Sequence, residues 1–252
     1  VSERLVRAIL EQVAGGKLER NAGAELLKLL KAAEPGRRDD IAIVGMAGRF
    51  PDADDPERFW DNLRAGRDSI RPFPEERRKD VEGLRQFTYM KDRDVSYAQA
   101  GYLDRIDDFD YRFFGISPKE ASLMDPGQRL FLQVGWHALE DAGYGEKSLS
   151  GTRTGLYIGY SGWPMYGQFV SYAEPESFDM SVSGNISAII ASRIPHLLDL
   201  KGPSMLVDTA CSSSLVALHL ACRAIGAGEC EQALVGGLRL TLMPLEGYVK
   251  YG

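Results

Sequence analysis

Cys211 is the residue in this sequence best placed to act as a nucleophile. It stands in Val207-Asp208-Thr209-Ala210-Cys211-Ser212-Ser213-Ser214-Leu215, where an apolar run ends near Val207 and Leu215, Leu218, Cys222 and Ile225 then recur at helical spacing. That pattern predicts a strand, a sharp turn and a helix, with the thiol at the helix N-terminus. Backbone amides without an intrahelical partner and the positive end of the helix dipole favour the thiolate there, the form that attacks a carbonyl carbon. Ala210 and Ser212 to Ser214 are small enough to let the chain turn tightly and a substrate come close, as in the nucleophile elbow of serine hydrolases. Position is what argues for chemistry, because a cysteine taken alone is more often a small buried hydrophobe. Cys222 and Cys230 complete an odd set of three at spacings that suit neither a zinc ribbon nor a disulfide framework, so all three read as free thiols. His137, His196 and His219 stand apart and read as packed or solvent-edge side chains.

The elements that must hold Cys211 alternate along the chain. Short apolar runs at 41–46 (Ile-Ala-Ile-Val-Gly-Met), 154–159, 204–207 and 232–236 predict strands covered on both faces, as in a parallel sheet. Between them lie helical patterns, notably one that opens at Asp125-Pro126, runs through Leu130, Leu132, Trp136 and Leu139, and stops at Gly143. Alternation of this kind indicates a layered α/β fold. Ahead of it, residues 1–33 predict a helical hairpin. Leu5, Val6, Ile9, Leu10 and Val13 share one face, Gly15-Gly16 interrupt, and Leu26, Leu27, Leu29 and Leu30 form a second stripe with Asn21 as its N-cap. Helices this short need a surface to bury against, which makes 1–33 a candidate docking segment. Pro35, Gly36 and the charges of residues 34–40 read as a linker, leaving 41–252 as the main unit.

Asp-Thr-Ala-Cys-Ser-Ser-Ser-Leu at 208–215 resembles the active-site signature of β-ketoacyl synthases, the ketosynthases of bacterial modular polyketide synthases. Four further blocks agree in order: 41–70, 109–132, 136–143 (Trp-His-Ala-Leu-Glu-Asp-Ala-Gly) and 184–215. The resemblance implies the N-terminal, incomplete half of a thiolase-like α/β fold that acts as a homodimer. It implies polyketide chain elongation, in which an acyl group moves from an acyl carrier protein to Cys211 and is joined to a malonyl-type extender by decarboxylative Claisen condensation. No metal or redox cofactor is implied, and 4'-phosphopantetheine enters only as the arm of the partner carrier protein. Residues 198–204 are similar to synthases whose acyltransferase is a separate protein.

Departures from the family pattern qualify this. Two histidines that the family supplies in HGTGT-like and NxGH-like contexts have no counterpart here, so the sequence as it stands is expected not to condense alone. The alternative is a non-condensing, gatekeeping or docking half of a split ketosynthase that binds carrier protein or a partner synthase polypeptide. Because the sequence ends at Gly252, before a second half, an apolar edge and half a core would be left open, and a stable monomer is not expected. A longer polypeptide, a domain divided between two chains, or a non-catalytic truncated form would each account for this, with 1–33 a docking site for an upstream or complementary polypeptide. Gly127 and Arg239 stand where the family more often has a larger polar residue and an asparagine.

Bulk properties narrow the partners. The chain has 252 residues, 44% hydrophobic and 26% charged, with a net charge of −6 spread along its length. No basic face suggests nucleic acid, and no apolar run is long enough to cross a bilayer or resembles a signal peptide. A cytoplasmic location is expected.

Overall fold

The computed structural model describes residues 2–33, 40–85, 91, 96–145, 147–161 and 165–244. In chain order the elements are α1 (Ser2–Ala14), α2 (Arg20–Ala33), α3 (Pro56–Arg64), β1 (Ile70–Arg71), α4 (Glu75–Arg85), β2 (Ala100–Gly101), α5 (Pro118–Leu123), α6 (Pro126–Asp141), β3 (Thr154–Tyr160), α7 (Met165–Ala173), α8 (Phe178–Asn185), α9 (Ile190–Leu198), β4 (Ser204–Val207), α10 (Ser213–Gly226) and β5 (Gln232–Leu238).

The centre is a parallel sheet in the order β4-β3-β5, with Leu156 opposite both Ser204 and Leu234, and Gly159 opposite both Val207 and Gly237. Every residue of β3 is buried. Its side chains alternate between two helical layers, as the period of a strand requires. Leu156 and Ile158 face a core with Phe131, Leu132 and Leu139 of α6 and Ile190, Ile194 and Leu198 of α9. Tyr157 faces the opposite layer with Ala217, Ala221 and Ala224 of α10. The result is the helix-sheet-helix layering expected of parallel strands joined by helical crossovers. Leu156 has no exposed surface, so Leu156→Ala is expected to destabilise the protein by about 2–5 kcal/mol, read as a lower urea midpoint.

Helix α6 forms as its sequence predicts. Asp125 caps it, the carboxylate accepting from Gly127 N–H at 2.7 Å, with Pro126 in the first turn and Gly143 at φ 80° just past the end. Burial pushes the Asp125 carboxyl above the usual carboxylate range, against the pull of the Gly127 and Gln128 amides and of Arg129. A carboxyl that holds its proton more tightly folded than unfolded subtracts stability as pH rises through the ordinary carboxylate range. Asp125→Asn keeps a cap and removes the charge, so it is expected to flatten that stretch of the pH–stability curve. Asp125→Ala should cost about 1 kcal/mol through the lost cap. Denaturant unfolding between about pH 3 and 7 checks both.

Two expectations need correction, and one helix face differs from the residues that mark its period. Residues 41–46 do not form a strand: Ile41, Ile43, Val44 and Met46 are exposed, Ile43 at 75%. The segment is held instead by its backbone, with Met46 N–H donating to Asp141 at 2.8 Å and Gly45 close against Ala138 of α6 and Ala142 just past its end. No described strand lies beside it to complete a ladder, and β5 pairs directly with β3. Asn21 is not an N-cap, because Gly23 N–H donates to the Glu19 carbonyl and the helix opens at Arg20. Leu215 and Leu218 lie on the exposed side of α10, Leu215 at 72%, while alanines take the sheet-facing side.

The hairpin helices α1 and α2 meet where Gly23 is buried close to Val13. Val6, Ile9 and Val13 are half-buried, while Leu5, Leu10, Leu26 and Leu29 remain exposed. Of the expected linker, residues 34–39 lie outside the described residues.

Candidate active site

The C-terminal ends of β3, β4 and β5 meet at one edge of the sheet, the edge where open parallel sheets bind ligands. Strand β4 ends at Val207 and the chain turns through Asp208 and Thr209 into a single 3-10 turn, Ala210–Ser212, that runs on into α10. Cys211 lies in the middle of that turn and is exposed, Cys222 is half-buried and Cys230 is buried. Burial pushes the Cys230 thiol up, which disfavours its thiolate. Of the three thiols, Cys211 is therefore the most open to solvent.

The turn is held by its own polar side chains. Asp208 accepts from Ala210 N–H at 3.0 Å; the Ser213 hydroxyl accepts from Thr209 N–H at 2.9 Å and donates to the Ala210 carbonyl at 2.7 Å. Ser212 Oγ lies 2.8 Å from the Thr209 carbonyl and 2.9 Å from Thr209 Oγ1. Sequence reasoning treated these serines only as small residues. Their positions one and two beyond the cysteine, where hydroxyls can close a turn on the backbone, were the available signal. Ala210 has φ 56°, in the left-handed region that costs a residue with a Cβ roughly 1 kcal/mol or more. A strained residue thus stands next to Cys211, kept there by Asp208 and Ser213.

Two glycines bring the helix down onto the sheet. A Cβ on Gly159 would overlap backbone atoms of α10, lying 2.6 Å from Ser213 C and Ser214 Cα, and one on Gly237 would lie 2.7 Å from Ser214 Cβ. Those clearances fix the height of the helix start, and with it Cys211, above β3 and β5. Among the described residues the Cys211 N–H has no hydrogen-bond acceptor. His137, His196 and His219 are all exposed, and no histidine bonds Cys211 among the described residues.

Gly127 and Arg239, set apart in the sequence, sit close together here. A Cβ on Gly127 would lie 3.0 Å from Leu238, the residue before Arg239, so the leucine occupies space that a larger residue at 127 would need. Arg239 Nη1 donates to the Ser161 carbonyl at 3.2 Å, tying the ends of β5 and β3 together. Beside them the Tyr160 phenol is pushed up to about 12, by burial first and then by the charge of Asp125, with Arg239 opposing.

The sequence profile of the β-ketoacyl synthase N-terminal domain matches residues 38–249. The chain belongs to the β-ketoacyl synthase family. It is 46% identical over 217 residues to the polyketide synthase ThaG of Burkholderia thailandensis, covering 82% of this chain and 4% of that protein. To the pikromycin polyketide synthase component PikAII of Streptomyces venezuelae it is 42% identical over 250 residues, 97% of this chain and 6% of that one. Among solved structures, the ketosynthase from module 6 of the bacillaene synthase of Bacillus subtilis 168 superposes with a TM-score of 0.66 at 43% identity, over 84% of this chain and 33% of that one. The oxazolomycin ketosynthase domain OzmH KS7 of Streptomyces albus JA3453 gives 0.66 at 40% identity, over 84% and 36%. This β-ketoacyl synthase chain therefore has the thiolase-like fold over its matched part, and spans about a third of the length of those solved ketosynthases. No helix among the described residues is long and apolar enough to cross a membrane.

Proposed function

We propose that this chain takes part in polyketide chain elongation, with Cys211 as the residue that accepts the growing acyl group. The observation that carries this is the exposed thiol in a strained, hydroxyl-braced turn at a helix start, while Cys222 and Cys230 are withdrawn. In the first step the Cys211 thiolate attacks the thioester carbonyl of an acyl chain borne on the phosphopantetheine arm of a carrier protein. A sulfur–carbon bond forms to Cys211, the bond to the arm's sulfur breaks, and the arm leaves as a thiol after taking a proton. The unpaired Cys211 N–H is a suitable donor to the oxyanion formed on the way. In the second step a malonyl unit on a carrier loses carbon dioxide. The resulting enolate attacks the Cys211 thioester, a carbon–carbon bond forms, and the cysteine thiolate is released.

The second step needs groups that stabilise an enolate. None of the three exposed histidines stands in the contexts the family uses for this, so within 1–252 we assign only Cys211 to the second step. A homodimer fits the open outer edge of β4, where Ser204 and Met205 are exposed. The uncovered Leu5, Leu10, Leu26 and Leu29 fit a docking role for the 1–33 hairpin toward another synthase polypeptide. The similarity at 198–204 favours a system with a separate acyltransferase.

Exposure to a short acyl-pantetheine thioester, followed by intact-mass measurement and peptide mapping, tests the central claim. One acyl group on the peptide containing Cys211 is expected. An adduct on Cys222 instead, or none on a folded sample, would remove Cys211 from the role.

A further inference from the structure

The two peptide groups on either side of Ala210 are held by different side chains. The peptide joining Thr209 to Ala210 is clamped at both ends: its N–H donates to Asp208 at 3.0 Å, and its carbonyl accepts from the Ser212 hydroxyl at 2.8 Å. The peptide joining Ala210 to Cys211 is clamped at its carbonyl end alone. That carbonyl accepts from the Ser213 hydroxyl at 2.7 Å and from the Ser213 N–H, while the N–H, which belongs to Cys211, has no acceptor among the described residues. A trans peptide is planar, with its carbonyl and its N–H on opposite sides. Whatever fixes the Ala210 carbonyl therefore fixes the direction of the Cys211 N–H.

Ser213 is suited to that task. It is only 5% exposed, and its hydroxyl uses a lone pair as well as its proton, accepting from the Thr209 N–H at 2.9 Å. Its backbone rests on β3, where a Cβ added to Gly159 would lie 2.6 Å from Ser213 C. A hydroxyl anchored in this way holds the Ala210 carbonyl toward the start of α10, so the Cys211 N–H is directed away from Ser213. We infer that Ser213 is a positioning residue for acyl transfer: it aims the Cys211 N–H at the oxyanion that forms when the Cys211 thiolate adds to an acyl carbonyl. The inference rests on the proposed acceptance of an acyl group by Cys211. Without the hydroxyl, the Ala210–Cys211 peptide keeps only its bond from the Ser213 N–H. It then turns more freely, and the donor is aligned in a smaller share of encounters. Ser212 has no part in this, because both of its hydroxyl contacts are to Thr209.

Two reagents, both followed by mass on the peptide containing Cys211, separate the aim of the donor from the reactivity of the thiol. With p-nitrophenyl acetate the thiolate adds to the carbonyl, an oxyanion forms, and the acetyl group stays on sulfur as p-nitrophenolate leaves. With iodoacetamide the thiolate displaces iodide at a saturated carbon, and no oxyanion forms. In the intact chain, Ser213→Ala is expected to lower the rate of Cys211 acetylation about tenfold, the worth of one well-placed hydrogen bond, while alkylation stays within about twofold of native. Ser213→Thr keeps a hydroxyl and should return acetylation to within about threefold of native. Ser212→Ala should leave the ratio of the two rates unchanged. A turn merely loosened by Ser213→Ala would move both reactions together, and that result would overturn the inference, as would acetylation unchanged in Ser213→Ala. Acyl-pantetheine run on the native chain keeps the two readings apart: acetylation by the ester that depends on Ser213, with none by acyl-pantetheine, would remove the proposed function and leave Ser213 in its role. A native thiol that iodoacetamide alkylates but the ester does not acetylate has no working donor, which also overturns the inference.

Discussion

Cys211→Ala is expected to lower acyl transfer to this chain by four orders of magnitude or more, roughly what is lost when a covalent nucleophile is removed, while leaving the fold intact. The thiol is exposed and makes no hydrogen bond among the described residues, so alanine leaves neither a cavity nor an orphaned polar group. Cys222→Ala provides the comparison. That side chain lies within α10, half-buried and away from the turn, and its removal should leave the adduct in place. Intact-mass measurement of the two variants beside the native protein, with circular dichroism as the check on folding, reads both outcomes. Retention of the acyl group in Cys211→Ala would contradict the assignment outright.

Gly159→Ala is expected to lower acylation of Cys211 by about a hundredfold and to destabilise the protein by a few kcal/mol, although residue 159 is not on the turn that carries Cys211. The added methyl would meet backbone of Ser213 and Ser214, with Ser213 C at 2.6 Å, so no rotamer change relieves it and the start of α10 must lift. A displacement near 1 Å at a reacting atom is enough for a loss of that size. The opposite end of the same helix gives the control. A Cβ on Gly226 would meet nothing within 4 Å, so Gly226→Ala should leave acylation unchanged and stability within about 1 kcal/mol of native. If Gly159→Ala and Gly226→Ala behaved alike, the close approach would not be what sets the position of Cys211.

The turn itself was legible in the sequence because two different periods meet there: the apolar run of β4 stops at Val207 and a helical repeat begins at Leu215, leaving a short polar interval in which only a turn fits. Helix α6 was legible through its ends, Asp125-Pro126 and Gly143. The covered face of α10 was not legible. Leu215 and Leu218 carry the periodicity, but Ala217, Ala221 and Ala224 face the sheet, packed with Tyr157 and Val207. Apolar character likewise could not say whether 41–46 is paired, since pairing depends on a neighbouring strand rather than on the segment's own residues. The roles of Ser212 and Ser213 were hidden for a different reason, as a hydroxyl is equally at home facing solvent until the backbone it can reach is known. Gly127 and Arg239 lie more than a hundred residues apart in the chain, and only the fold brings Gly127 against Leu238, the neighbour of Arg239.

The left-handed backbone at Ala210 bears on how the protein responds to heat. Tension stored in so short a turn can be released by that turn alone, without disturbing β3 or the cores on either side of it. Segments of this kind open at lower free energy than the structure that supports them. On warming, the geometry around the thiol is therefore expected to fail first, and a sample can lose its chemistry while its sheet and helices still give an unaltered spectrum.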